Sequence, residues 1–229
     1  MRFFLNLLLL PAISLFSESK DFFAIATFVN GEAYYSRKSV DSKIKPKTIL
    51  YEGDIIFTKK GSVDLQVGQS TTIRINHFSK LKLSRMDLRS TKQSILIEMQ
   101  TGQLYGKVKN FPKGSQLQVV TPTFTGGVRG TEFAISEQSS PETPEAEKLE
   151  DGVYVTEGAV EVSPKNSLVK HTVSAGQQIL TRSKEMMVKI LDEHNQKKLE
   201  TLKTIEIMKA ENYKLLQEQL ERNKNLLKK

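Results

Sequence analysis

From residue 63 onward, apolar and polar residues alternate in short runs: Val63, Leu65 and Val67; Ile73 and Ile75; Leu81 and Leu83; Ile95, Ile97 and Met99. The pattern returns at Leu117 and Val119, at Val153 and Val155, and at Val160 and Val162. A period of two places alternate side chains on one face of an extended chain, so each run predicts a half-buried strand. Gly, Pro, Ser and Lys clusters bound the runs, and no long helix fits the stretch. Asn30-Gly31, between Ile25–Val29 and Ala33–Tyr35, predicts a tight hairpin because both residues tolerate positive φ. Thr101-Gly102 and Glu157-Gly158 vary the theme, a glycine opening an alternating strand, although the spacings form no strict repeat.

Two segments break this pattern. Residues 136–152 hold Pro141, Pro144 and five glutamates without an apolar period, which predicts an exposed loop. From Ser183 to Lys229 there is neither Gly nor Pro and helix formers dominate, so a long helix is expected, with Ser183, Met186 and Met187 at its start. Leu199, Leu202, Tyr213, Leu216, Leu220 and Leu227 fall near one helical face, but Glu206 and Lys209 interrupt the stripe. The tail is thus a candidate for self-association without the seam of a clean coiled coil.

The beginning of the chain reads as an export signal. Arg2 supplies a positive start, Phe3 to Phe16 is nearly all apolar yet short for a membrane span, and Ser17 and Ser19 are the small residues a signal peptidase needs before Lys20. Residues 1–19 are therefore the expected signal peptide, and no transmembrane helix is expected in the mature chain. The absence of cysteine excludes disulfides, thiolate metal sites, thiol nucleophiles and a lipoprotein anchor. With 38% hydrophobic and 26% charged residues the composition is that of a folded domain, and 34 basic against 26 acidic residues leave a net charge of +8. Such a surface attracts anionic partners.

In order along the chain, Gly31-Glu32-Ala33, Glu52-Gly53-Asp54, Gly61-Ser62-Val63, Gly102-Gln103-Leu104 and Thr121-Pro122-Thr123 precede Val128-Arg129-Gly130-Thr131-Glu132-Phe133. After them come Val153 to Val162, with Glu157-Gly158, and Ser174-Ala175-Gly176-Gln177-Gln178. This succession resembles the FecR domain family over residues 28–182. The resemblance implies a mainly β fold, a right-handed β-solenoid or twisted β-sandwich, over 20–182, with the helical tail at 183–229. The family's best-known members carry an anti-sigma segment and a transmembrane helix before this domain and a receptor-contacting domain after it. Neither is expected here, so the reading is an exported stand-alone type.

Candidate chemistry is sparse. His77, His171 and His194 share no metal-ligand or triad spacing. Gly126-Gly127-Val128-Arg129-Gly130-Thr131 lacks the lysine of a phosphate loop and precedes an expected strand. No cofactor, metal or enzyme activity is expected. Tyr34, Tyr35, Arg37 and Lys38 form a candidate stacking-plus-charge surface for an anionic glycan, export arguing against nucleic acid. Self-cleaving regulators of the resembled family break a Gly-Thr bond that aligns with Gly130-Thr131, where the hydroxyl would attack the preceding carbonyl. The leading expectation is a non-catalytic binding or scaffold module of the envelope, periplasmic or at the cell surface, serving signalling or assembly with an envelope protein or anionic glycan as partner. A surface adhesin and a self-cleaving regulator are the alternatives.

Overall fold

The structure, a computed structural model, describes residues 24–88, 91–165, 167–181 and 186–200. The expected signal peptide and the apolar stripe from Leu202 onward lie outside these residues. Among the described residues, thirteen strands form one connected sheet. Its backbone is five long strands: β1 (Ala24–Arg37), β4 (Ile55–Val67), β7 (Ser94–Val108), β9 (Phe124–Glu137) and β10 (Gly152–Pro164).

Each long strand changes partners part-way along. The last third of β4 pairs with β5 (Thr71–Ile75) and its start with β6 (Lys80–Asp87); β7 likewise pairs with β6 along its first part and with β5 at its end, which closes a ring. The start of β7 also pairs with β8 (Gln116–Val120), and its end with β9, while β8 pairs with β9. The result is a closed β-barrel core flattened into two layers that share the bent long strands. Peripheral strands β2 (Val40–Lys43), β3 (Ile49–Leu50), β11 (His171–Ser174), β12 (Gln177–Leu180) and β13 (Val188–Ile190) extend the layers. The mainly β expectation holds. A repeating solenoid does not appear among the described residues, because its coils would stack in parallel and only β7 and β8 pair that way.

The alternating residues line the interior. Ile56, Leu81, Leu83, Ile97, Leu117, Val119, Val160 and Val162 meet Val63, Leu65, Ile73, Ile75, Leu104, Ile135, Val153 and Val155 in one apolar core. Burying each such side chain contributes about 1.5–3 kcal/mol, which makes this core the main source of stability.

Two expectations need correction here. Asn30-Gly31 is not a hairpin: β1 runs through it, and Gly31 lies opposite Gly61 of β4 at a bulge where Lys59 and Lys60 face Glu32. The tight turn comes at Lys38-Ser39, whose φ angles of 51° and 64° match the positive pair of a two-residue hairpin between β1 and β2. Thr101-Gly102 and Glu157-Gly158 likewise sit inside β7 and β10 rather than opening them.

The expected helical tail also begins otherwise. Val188 to Ile190 extend as β13 beside β12, and helix α1 starts only at residue 193, running over 193–200. Asp192 caps it, its Oδ1 accepting the Asn195 N–H at 2.8 Å. Asp192 and Asn195 also share hydrogen bonds with the Gln178 amide on β12, which docks the helix. Burial alone would raise the Asp192 pKa, but the bonds from Asn195 and Gln178 outweigh it and hold the carboxyl below its ordinary 3.8. A depressed folded pKa stabilises docking above the unfolded value and loses that contribution as pH falls through the folded one. Acidification below about pH 4 is therefore expected to loosen α1. Hydrogen exchange over 186–200 should show it, and Asp192→Ala should give the same loosening at pH 7.

The loop at 138–151 is irregular, as its composition suggests, but its far end is not solvated. Leu149 is buried with Ala134, Tyr154, Leu191 and Leu199 in a second small core. Tyr154 donates to the Glu150 carbonyl at 2.7 Å and Ser136 to the Leu149 carbonyl at 3.1 Å. Loop and helix together cover the outer face of the layer containing β5, the end of β7 and β12.

Candidate functional site

The Val128 to Phe133 motif lies where β9 bends from one layer to the other. Val128 and Phe133 are both core residues, one on each side of the bend. Gly130, at φ 61°, makes the turn between them. Opposite it on β10, Gly158 at φ 79° presses so closely that a Cβ there would strike the Gly130 carbonyl oxygen. The Thr131 hydroxyl donates to the Ala159 carbonyl at 2.8 Å and the Arg129 carbonyl at 3.0 Å, tying the two bent strands together. Gly106 of β7 makes room for the Phe133 ring. Glu132 pairs with Lys107 at 2.8 Å, and Arg129 is exposed. Glu157 marks the register shift in β10 across from Glu132.

The other motif residues have equally local duties. Gly53 donates its N–H to the Leu83 carbonyl, and Glu52 accepts from the Met86 N–H, so the Glu52-Gly53-Asp54 turn clamps β6. Asp54 receives a two-pronged bond from Arg37 at 2.8 and 2.6 Å and the Tyr51 N–H. That pairing, the largest influence, raises the Arg37 pKa against the cost of burial, so the guanidinium stays charged between the Tyr35 and Tyr51 rings. Gly102 approaches Ser79, and Gly176, between β11 and β12, accepts the Leu191 N–H that leads into α1.

Thr131 was the candidate for self-cleavage. Its hydroxyl proton is committed to two carbonyls, which cannot act as the base an attack requires, and among the described residues its hydrogen-bond partners include no histidine or carboxylate. A structural role follows: Thr131→Ala should lower stability by about 1 kcal/mol through the lost hydrogen bonds. Prolonged incubation of the unaltered protein, followed by intact-mass measurement, should yield no fragment beginning at Thr131. A fragment that disappears in the alanine variant would restore the self-cleavage reading.

The histidines stay apart. His77 meets Glu147 at 3.2 Å, His171 lies on β11 and His194 on α1. Among the described residues, no group of His, Asp and Glu is placed to hold a metal ion. Gly126 and Gly127 lie within β9 and no helix follows, so they offer no phosphate cradle. A cleft of about 870 Å³ separates the 138–151 loop from α1, lined by Glu145, Lys148, Glu150, His194, Asn195 and Lys198. Lys198 already reaches across it, bonding the Lys148 carbonyl and facing Glu145.

The candidate stacking surface is split. Tyr35 packs on the core and Arg37 is held by Asp54, whereas Tyr34 points outward and stacks on Phe57 of β4, centroids 5.4 Å apart and planes 14° apart. Lys38 lies in the hairpin turn. Sequence reasoning missed Phe57, Lys43 and Lys80, which join Tyr34 only through cross-strand register. Their alternation with Ile56 and Leu81 was the available signal.

Residues 54–161 match the FecR protein family, from the aspartate that holds Arg37 to the end of the strand pair bent at Gly130 and Gly158. Over those residues the chain is similar to a FecR domain. The FecR family is that of a non-catalytic signalling module. Two crystal structures of a protein from Parabacteroides distasonis described as an anti-sigma factor are similar at 20% identity and a TM-score of 0.46. The chain spans 60% of their length, and they span 60% of it. No curated protein matches. No described helix is long and apolar enough to cross a membrane.

Proposed function

We propose that this protein is an exported binding or scaffold module of the bacterial envelope, contributing to envelope signalling or assembly without catalysis of its own. The observation that carries the reading is the FecR domain, whose motif residues serve strand bends, turn clamps and core anchors rather than chemistry. The predicted export signal at residues 1–19 supports an extracytoplasmic setting, with which the cysteine-free composition is compatible. The exposed lysines also favour the surface-adhesin reading, since a basic surface attracts anionic material outside the cell.

Fractionation with N-terminal sequencing and protease treatment of intact cells separates these possibilities. A mature N-terminus at Lys20 and protection until the outer membrane is ruptured are expected. Degradation in intact cells would favour the adhesin. Retention of Met1 in a cytoplasmic protein would overturn the reading.

A further inference from the structure

The two outer faces of the barrel differ. One is closed by the 138–151 loop and α1, through the second apolar cluster and the hydrogen bonds of Ser136 and Tyr154. The other, across β2, the end of β1, the start of β4 and β6, has no such cover among the described residues. Strand register aligns Lys43, Tyr34, Phe57 and Lys80 in one row on that face. Lys59 places its ammonium 5.5 Å from the centre of the Tyr34 ring, and Lys82 follows Lys80 two residues along β6. None of these four lysines has an ion pair among the described residues, although Glu32 stands across the bulge from Lys59, Glu98 is the register partner of Lys82 and Asp41 lies in the same row as Lys82. Four unpaired ammonium groups around two rings are an attractive field with an apolar centre.

We propose that this face binds an acidic polysaccharide, with sugar acid groups on Lys43 and Lys80 and neutral ring surface on Tyr34 and Phe57 between them. This rests on the binding-module reading above and adds the class of ligand. Lys43 and Lys80 stand on strands three steps apart, about 14 Å at ordinary strand spacing, so the charges bracket the rings rather than form a continuous track. That pattern suits a polymer whose acid groups alternate with neutral surface. It suits nucleic acid less well, because a phosphate backbone carries a charge at every step and calls for a continuous basic track. The outward rims of Tyr34 and Phe57 carry the positive edge of the aromatic quadrupole, which favours anions further.

The test uses the protein with immobilised polygalacturonate, dextran and a thymidine oligonucleotide at low salt. Retention on polygalacturonate alone is expected, weakening steeply with added salt because exposed charges are screened. K43A/K80A should weaken it at least tenfold. K109A/K189A, which removes the same charge from exposed positions elsewhere, should change it less than twofold. Unchanged melting temperatures exclude misfolding of either variant. No retention of the unaltered protein, equal weakening by both pairs, or equally tight oligonucleotide binding would each overturn the proposal. If a partner is nevertheless crosslinked to the protein in cells, the binding-module reading stands without this ligand.

Discussion

Gly61→Ala is expected to destabilise the protein by about 3 kcal/mol, the upper range for overpacking in a filled core. Gly61 and Gly31 face each other where β4 and β1 bend together. A Cβ on Gly61 would strike the Glu32 backbone nitrogen and the Asn30 carbonyl oxygen, neither of which can rotate aside. Only a shift of β1 against β4 relieves the clash, and those two strands carry the interior residues Ala33, Ile56, Val63 and Leu65. Gly176→Ala serves as the contrast: nothing lies within 4 Å of its added carbon, so only the strain of φ 75° applies, about 1 kcal/mol. Denaturant unfolding of the two variants side by side should show this difference. Equal midpoints would mean that the close crossing does not exist.

Asp64→Ala is expected to cost about 3 kcal/mol, because it removes two short charge-assisted bonds to the buried Arg74 guanidinium. The two residues are register partners on β4 and β5, joined by two bonds of 2.6 Å, with side chains only 12% and 8% exposed. They lie on the face beneath the 138–151 loop, beside Tyr105, whose phenol burial pushes far above its ordinary pKa and so keeps neutral. Replacing both partners with apolar residues, D64L/R74M, should recover most of the loss, since the desolvation cost of both ions disappears with them. Thermal or denaturant unfolding distinguishes the two cases. A double variant as unstable as Asp64→Ala would show that the pair is needed for more than mutual neutralisation.

Much of the barrel was legible in the sequence because period-two alternation reports burial directly: Val63, Leu65, Ile73, Ile75, Val160 and Val162 all face the core. Strand continuity was not. A glycine with positive φ serves a hairpin or a mid-strand bend equally well, and at Gly31 the choice depends on Gly61, a contact distant in sequence. The real hairpin at Lys38-Ser39 carries neither glycine nor asparagine, so its turn had no local signal. In the tail, three residues from Val188 extend along β12 despite helix-forming surroundings, an instance of tertiary pairing overriding propensity. The loop at 138–151 looked solvated because a lone Leu149 has no periodicity, yet one apolar anchor suffices when α1 covers it. The binding face escaped in part for the same reason as Gly31: Lys43, Tyr34, Phe57 and Lys80 are scattered in sequence and meet only through register.

Photo-crosslinking in living cells tests directly whether this FecR-like protein works by holding another envelope component. A photoreactive residue is placed at Ser36 or Lys82 on the open face, and at Lys148 or Met187 on the other side. Adducts with an envelope component are expected from the first pair of positions, and far fewer from the second. Absence of adducts from all four positions, in cells that export the folded protein, would contradict that mode of action.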